Sequence, residues 1–445
     1  MNRILSFFRR PSLADTTADT TADTAPAEPP PPMENNTGRS EEAKGADFID
    51  VRRLMQELSV EELCETAEEY FSSLTDWTHL QSKPFGFVQE VPHVLIRFST
   101  LLQGLALGPN MTVLDFGSGP GWATHYLTQL GCRIIALDVS ETAHKISQAR
   151  FAQQPVFGDH PAPRFLTFDG RRIDLPDASV DRIFCHDAFH HVPNPGEVLE
   201  EMSRVLASGG IAGFAEPGPS HSRALVSQTE MRNYKVVEND IRIEEIWAQA
   251  QKAGFTDIRL AVLYTPLYQM PLPEFQDFLA NGSAVEKYAQ TVCAYMQEHR
   301  VFFLYKGPFI RDSRLNEGLK AAIEMTLTPG GVVSAGQTLT IQAKITNRGE
   351  ARWRTREGEI GSVHFGAHLY DTDGRQTVAD YARYPLRPDG GETPVEPGES
   401  VTLSVTAPAP PAGNYQIGFD MVSHGVCWFA WNGGEEKQFR IESVA

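Results

Sequence analysis

Three glycines alternate along a short stretch that follows an apolar segment ending at Asp115. They are Gly117, Gly119 and Gly121, and an amphipathic helical pattern begins at Trp122. Because glycine has no Cβ, the backbone here can bend sharply and lie directly against a ligand. The start of the following helix presents free N–H groups to a polar or anionic group. The stretch therefore predicts a strand, a glycine turn and a helix that together hold a small molecule.

Two common nucleotide-binding turns do not fit these residues. A dinucleotide fingerprint needs a third small residue at the position of Trp122, and tryptophan cannot replace a glycine that allows close packing. A Walker loop needs a Gly-Lys-Ser or Gly-Lys-Thr sequence, and no lysine lies in this turn. The glycines alone leave the ligand open, so the downstream residues have to identify it.

Acidic residues follow at the ends of the next two apolar segments. Residues 133–138 predict a second strand ending in Asp138, where a carboxylate can accept both hydroxyls of a ribose. Residues 164–170 predict a third strand, with Asp169 placed to accept a hydrogen bond from an adenine amino group. Two more strands, at 181–186 and 211–216, continue the alternation of strands and helices that is typical of a doubly wound α/β sheet.

The string from Asp115 to Gly121, with these strands in this order, resembles the class I S-adenosylmethionine-dependent methyltransferases (type 11-like) over roughly residues 85–310. The resemblance implies a Rossmann-like seven-stranded sheet, with residues 258–264 as the sixth strand and 301–306 as an antiparallel seventh. It also implies S-adenosyl-L-methionine as the cofactor. The cofactor-binding residues implied are Asp115, Gly117, Ser118, Gly119, Gly121, Trp122, Asp138, Val139, Phe168, Asp169, Gly170, His186 and Asp187.

Three histidines and a glutamate near the ends of the fourth and fifth strands are the candidate catalytic residues: His186, His190, His191 and Glu216. Imidazole titrates near neutrality, so one histidine can act as a general base, or it can pack in the pocket wall. Glu216 either orients an acceptor or is a solvated carboxylate. His186 and His190 have a spacing that binds metals on helices, but no further ligand stands nearby in sequence, and we predict no metal site.

The composition limits the number of domains, the partners and the cellular location that can be expected. A chain of 445 residues with 41% hydrophobic residues predicts two folded domains, and no apolar run is long enough to span a membrane. The net charge of −18 argues against nucleic acid as a partner. Five cysteines are scattered without a Cys-x-x-Cys pair, which predicts reduced thiols and a cytoplasmic location.

The N-terminal segments differ from the sheet domain at 109–310. Residues 1–44 carry Ala-Asp-Thr repeats and a proline run, which predict a disordered tail. Residues 1–10 combine apolar and arginine residues and predict a weak contact with a membrane surface, at the inner membrane. Residues 45–108 predict a helical cap over the cofactor cleft. A helical insert at 266–300 either covers the acceptor pocket or serves only packing.

The pattern of apolar residues changes after the sheet domain at 109–310. We predict a linker helix at 311–325 and, because alternating apolar residues and turns recur, an all-β sandwich at 326–445. This last part resembles immunoglobulin-like modules of bacterial surface-polysaccharide proteins. We expect its aromatic residues Trp428, Phe429 and Trp431 either to stack on sugar rings or to fill the core of the sandwich.

Two functions are therefore open. One is methyl transfer to a small-molecule or glycan-linked acceptor, which would give the protein a role in polysaccharide biosynthesis. The other is a non-catalytic module that binds a glycan or a protein and retains the methyltransferase scaffold. The sequence does not indicate the oligomeric state.

Overall fold

The computed structural model describes residues 48–445. The predicted disordered tail at 1–44, and the membrane contact predicted for residues 1–10, lie outside this range. In the described part of the chain, no helix combines the length and the apolar character needed to span a membrane.

A seven-stranded sheet forms the first half of the fold, in the order β3-β2-β1-β4-β5-β7-β6. Its strands are β1 (Thr112–Phe116), β2 (Arg133–Asp138), β3 (Arg164–Thr167), β4 (Val180–His186), β5 (Leu206–Pro217), β6 (Asp257–Leu260) and β7 (His299–Tyr305). The first five strands are parallel, whereas β7 runs antiparallel between β5 and β6. The predicted Rossmann-like sheet with an inserted antiparallel strand is therefore confirmed.

Helices cover both faces of this sheet. They are α1 (Val51–Glu57), α2 (Val60–Ser73), α3 (Thr78–Gln81), α4 (Val91–Leu105), α5 (Trp122–Gln129), α6 (Glu141–Gln153), α7 (Pro195–Val205), α8 (Leu225–Tyr234), α9 (Ile243–Lys252), α10 (Leu272–Leu279) and α11 (Ser283–Glu298). One hydrophobic core lies on each face. Helix α4 approaches β7 closely because it carries Gly104, where a Cβ would come within 2.0 Å of the Phe303 ring.

The C-terminal region is all-β and contains two sheets. Its strands are β8 (Ala321–Thr328), β9 (Gly331–Ser334), β10 (Thr338–Asn347), β11 (Val363–Tyr370), β12 (Gln376–Pro385), β13 (Ser400–Pro408), β14 (Gly413–Ser423), β15 (Cys427–Trp428) and β16 (Lys437–Val444). One sheet has the order β13-β10-β8, and the other has the order β12-β11-β14-β16-β9, with β15 paired to β14. Both sheets contribute to one core around Trp353 and Phe365. Trp428 and Phe429 are buried, while Trp431 is 73% exposed.

The linker helix predicted at 311–325 is wrong. Residues 321–328 form strand β8, which pairs antiparallel with β10. Ile323 and Leu327 point into the core while Glu324 and Thr326 are exposed, so the apolar residues follow the period of a strand. The short apolar run fits the period of a helix as well as that of a strand. The strand forms because its backbone pairs with the edge of β10.

The turn before β8 joins the two halves of the fold. The Arg314 guanidinium donates to both carboxylate oxygens of Asp181, at 2.9 and 2.8 Å, and Asp181 lies at the start of β4. Arg314 also donates to Asp312 at 2.7 Å. Its side chain is nearly buried, so this contact is shielded from solvent.

Candidate functional site

The glycine turn lies between β1 and α5, and all three of its glycines have positive φ. The values are +66° at Gly117, +49° at Gly119 and +74° at Gly121. A Cβ on Gly117 would lie 2.3 Å from the Cβ of Ala188, and one on Gly121 would lie 1.8 Å from Oγ of Ser147. A Cβ on Gly119 would meet nothing within 4 Å. The protein therefore packs against both ends of the turn and leaves open space over its middle.

The carboxylate of Asp138 lies directly beside this open position. Its Oδ2 accepts the N–H of Gly119 at 2.8 Å, and its Oδ1 accepts the N–H of Ser140 at 2.9 Å. Burial raises the pKa of the Asp138 carboxyl, although these backbone hydrogen bonds act in the opposite direction. Each oxygen keeps a further lone pair, so the side chain can accept two hydroxyl groups.

Two buried polar side chains lie at the base of the turn. Asp115 at the end of β1 accepts the hydroxyl of Thr124 at 2.5 Å, and burial raises the pKa of Asp115 to about 7. The hydroxyl oxygen of Ser118 is buried without a hydrogen-bond partner in the described part of the chain. An unpaired buried hydroxyl is costly, which favours a ligand group as its partner.

The residues after β3 form the rim of the site. Strand β3 ends at Thr167, so Asp169 lies in a loop and is exposed, beyond the buried Phe168. Its Oδ1 accepts the N–H groups of Arg171 and Arg172, at 2.8 and 2.7 Å. Phe168 donates its N–H to the carbonyl of Asp138 at 2.9 Å, which brings this loop next to β2.

Helix α2 of the predicted cap closes this side, through residues that sequence reasoning did not identify. Glu68 accepts both the hydroxyl and the N–H of Thr142, at 2.6 and 3.1 Å, and the hydroxyl of Ser140 at 2.6 Å. A carboxylate at the start of α6 is favoured by the helix dipole. A Cβ on Gly170 would lie 2.7 Å from Sγ of Cys64 on α2, so the helix covers that glycine closely.

A second group of polar residues lies after β4 and contains His186 and Asp187. Asp187 has a φ of +49° and forms two hydrogen bonds with the guanidinium of Arg97 on α4, at 2.9 and 2.6 Å. Burial alone would raise the pKa of the Asp187 carboxyl, but Arg97 holds it well below its usual value. Nδ1 of His186 lies 3.2 Å from a carboxylate oxygen of Asp187. The other ring nitrogen of His186, Nε2, is buried and has no hydrogen-bond partner among residues 48–445. The His186 ring contacts Trp122 at the start of α5, with 5.3 Å between ring centroids.

This group extends to the helical insert. Nδ1 of His93 lies 2.8 Å from the hydroxyl of Thr265 and 3.1 Å from that of Tyr295, and the two hydroxyls are 2.6 Å apart. Burial lowers the pKa of His93 to about 3, so its ring is neutral at physiological pH. The insert therefore contributes Tyr295 of α11 to a polar network with Arg97. No motif in the sequence indicated Arg97, His93 or Tyr295, because their spacing along the chain follows no known pattern.

Glu216 and His190 form a separate pair. Glu216 is fully buried, so it is not a solvated carboxylate. It accepts Nδ1–H of His190 at 2.7 Å and the N–H groups of Phe189 and Ala188 at 3.0 and 3.2 Å. Burial would lower the pKa of His190, but this hydrogen bond and the carboxylate charge raise it. These contacts hold the loop after β4, which is a positioning role for Glu216.

The His191 ring lies against the ring of His190, with 3.9 Å between the ring centroids. Its Nδ1 donates to the carbonyl of Val237 at 2.7 Å, which leaves the side chain 40% exposed. The predicted catalytic residues thus divide into His186 beside the glycine turn and a second set around Glu216.

Comparison with known proteins gives a family match for part of the chain. Residues 114–214 match the family described as the methyltransferase domain. The match lies within the seven-stranded sheet, from β1 to β5. The family uses S-adenosylmethionine, so the predicted cofactor is confirmed at the level of the domain family.

The relatives of the methyltransferase domain have varied acceptors. The chain is 37% identical over 114 residues to the sarcosine/dimethylglycine N-methyltransferase of Halorhodospira halochloris, which covers 25% of this chain and 39% of that enzyme. It is 24% identical over 215 residues to the thiol S-methyltransferase TMT1B of Mus musculus, covering 47% and 84% of the two chains. The first alignment spans about two fifths of that relative's length.

Solved structures also resemble the chain. A phosphoethanolamine N-methyltransferase 2 of Haemonchus contortus, in complex with phosphomonomethylethanolamine and S-adenosylhomocysteine, aligns with a TM-score of 0.38 at 15% identity. The alignment covers 56% of this chain and 60% of that one.

Proposed function

We propose that this protein transfers a methyl group from S-adenosylmethionine to a small polar acceptor. The observation that carries the proposal is the open position over Gly119, next to a buried carboxylate at the end of the neighbouring strand. Parallel α/β sheets bind ligands at the carboxyl ends of their strands, which is where both groups lie. The methyltransferase family matched by residues 114–214 supports the same reading.

The protein's own residues fit the parts of the cofactor. Asp138 would accept the two ribose hydroxyls, and Asp169 at the rim would accept from the adenine amino group. Ser118 would find in the ligand the hydrogen-bond partner that its buried hydroxyl lacks. When bound, S-adenosylmethionine supplies an electrophilic methyl group on its sulfonium.

The acceptor would bind beside His186, between α5 and α4. The ion pair of Asp187 with Arg97 holds the end of β4 in place, and His186 has an unpaired Nε2 that can contact an acceptor. Methyl transfer depends mainly on alignment of the nucleophile with the methyl group, and these side chains would help to hold the acceptor in that alignment. A base is needed only for a hydroxyl or a protonated amine. We therefore assign His186, rather than His190 or His191, to the acceptor side.

Calorimetric titration with S-adenosylmethionine and with its demethylated product tests the cofactor site. Wild-type protein is expected to bind both, and Asp138→Ala is expected to bind neither detectably. Asp371→Ala is the matched control, because Asp371 also accepts two backbone N–H groups, at 3.0 and 2.9 Å, but in the C-terminal region. Unchanged affinity in a folded Asp138→Ala protein would overturn the site.

A second experiment identifies the acceptor. Protein incubated with a metabolite extract and cofactor carrying a deuterated methyl group is expected to yield a labelled small molecule in mass spectra. His186→Ala is expected to reduce the labelling while it leaves cofactor affinity within about a factor of ten. Protein that binds the cofactor but labels nothing, in extracts or in cell-surface glycans, would favour the non-catalytic alternative.

We also propose that the C-terminal region is an immunoglobulin-like sandwich that binds a glycan-linked acceptor. The exposed ring of Trp431 supports this, since stacking on sugars requires an accessible aromatic face. Quenching of tryptophan fluorescence by oligosaccharides, lost in Trp431→Ala, is the expected result. Equal quenching in both proteins would contradict it. The cytoplasmic location at the inner membrane surface stays a prediction.

A further inference from the structure

Three side chains from distant parts of the chain meet beside the loop after β4. His190 lies in the short helical turn Phe189–His191, His221 in the turn His221–Arg223, and Glu238 in the segment between α8 and α9. One donor atom from each of them lies within 4.8 Å of the other two. Oε2 of Glu238 is 2.6 Å from Nε2 of His221 and 3.9 Å from Nε2 of His190.

A fourth residue orients one of these side chains. Nδ1 of His190 donates to the fully buried Glu216 at 2.7 Å, so its Nε2 faces the other two side chains. Histidines that bind metals characteristically donate their other ring N–H to a carboxylate, which fixes the ring and raises the basicity of the ligating nitrogen. The Glu216–His190 pair has this arrangement. This hydrogen bond is a second observation, separate from the proximity of His190, His221 and Glu238, that favours a metal site.

The charge and burial of the cluster also favour a cation. Glu216 and Glu238 are both buried, and two carboxylates in a low-dielectric environment require compensating positive charge. His221 is only partly buried and His191, with Nδ1 3.5 Å from Glu238, is 40% exposed, so an ion can enter from solvent. Two imidazoles and one carboxylate are a ligand set that suits zinc.

We propose that His190, His221 and Glu238 bind a zinc ion, with Glu216 orienting His190 and a fourth position open to water or a ligand. Tetrahedral zinc holds its ligand atoms roughly 3.3–3.5 Å apart, given bonds of about 2.0–2.2 Å. The separations of 2.6 and 3.9 Å between ligand atoms lie on either side of this value, and all three ligand atoms lie within 4.8 Å of one another. From the sequence we considered only the spacing of His186 and His190 and predicted no metal site, since His221 and Glu238 are distant from His190 in sequence.

The test uses the full chain after treatment with a chelator. Titration with Zn²⁺ by calorimetry is expected to give one site per chain. Co²⁺ in its place is expected to give the visible absorption of a tetrahedral complex. Glu238→Gln removes the negative charge of one ligand and His221→Gln removes one imidazole, and each is expected to weaken Zn²⁺ binding by more than about 100-fold. Glu216→Gln is expected to weaken it by about 10–100-fold. Circular dichroism establishes that each variant is folded.

The control is His424→Gln, which removes one member of another histidine pair. The His364 and His424 rings lie 6.3 Å apart in the C-terminal region. This variant is expected to bind Zn²⁺ like the wild type. Less than one equivalent of Zn²⁺ on the wild type, or wild-type affinity in a folded Glu238→Gln or His221→Gln protein, would overturn the proposal. None of these measurements depends on methyl transfer.

Discussion

Replacement of Gly119 by alanine separates cofactor binding from folding. Gly119 has a φ of +49°, and the Cβ introduced there meets no protein atom within 4 Å. The added methyl group would therefore enter the space assigned to the cofactor without steric contact with the protein. Gly119→Ala is expected to weaken binding of S-adenosylmethionine, while it lowers the free energy of unfolding only by the cost of an alanine in this backbone conformation.

The magnitudes follow from the backbone and from the neighbours. An alanine in the left-handed region costs about 1–2 kcal/mol, and no steric contact adds to this at Gly119. Cofactor affinity is expected to fall at least about tenfold, which corresponds to about 1.4 kcal/mol. Gly121→Ala is different, because its Cβ would lie 1.8 Å from Oγ of Ser147 and has to displace that side chain. It is expected to lower the free energy of unfolding by more than Gly119→Ala does.

The assay combines urea unfolding with calorimetric titration of the cofactor. Gly374→Ala is a matched control, because Gly374 has a φ of +78° and also no atom within 4 Å of a Cβ, but lies in the C-terminal region. Both variants are expected to lose a similar free energy of unfolding, and only Gly119→Ala should lose affinity. If Gly119→Ala binds the cofactor like Gly374→Ala, the space over Gly119 is not the cofactor site.

Three further changes test other parts of the structure. Arg97→Met removes the arginine partner of Asp187 and leaves only the contact with His186. It is expected to lower the free energy of unfolding by about 2 kcal/mol, less than for a fully buried pair because Asp187 is 44% exposed, and an unchanged urea midpoint would refute this. The fold raises the pKa of Asp115 to about 7. The contribution of Asp115 to the free energy of unfolding is therefore complete below about pH 4 and is lost as the pH rises through 7. The free energy of unfolding falls over this window by up to about 1.4 kcal/mol per pH unit. Asp115→Asn is expected to remove this pH dependence of urea unfolding, and identical pH profiles would contradict the assignment. Arg314→Ala leaves Asp181 unpaired and is expected to cost about 3 kcal/mol and to speed proteolysis between the two halves, whereas an unchanged digestion pattern would show that the ion pair does not join them.

Local sequence patterns predicted most of the sheet domain. The glycine turn, the acid that ends β2 and the antiparallel seventh strand lie where the sequence placed them, because each depends on a few neighbouring residues. Strand β8 was missed because its apolar residues fit a helix as well as a strand. Only the pairing of β8 with β10, which is formed by distant residues, favours the strand.

The polar side chains around the site also divide into those that the local sequence predicts and those that only the tertiary structure brings together. The sequence alone predicted that Gly119 and Asp138 lie at the ends of two consecutive strands, and the structure pairs these strands as β1 and β2. The tertiary structure decided which side chains Asp187 and His190 meet, because Arg97 and His221 come from separate elements whose positions depend on how the helices pack. Contacts between residues far apart in sequence have no local signal, so only the folded chain shows which side chains surround Asp187 and His190.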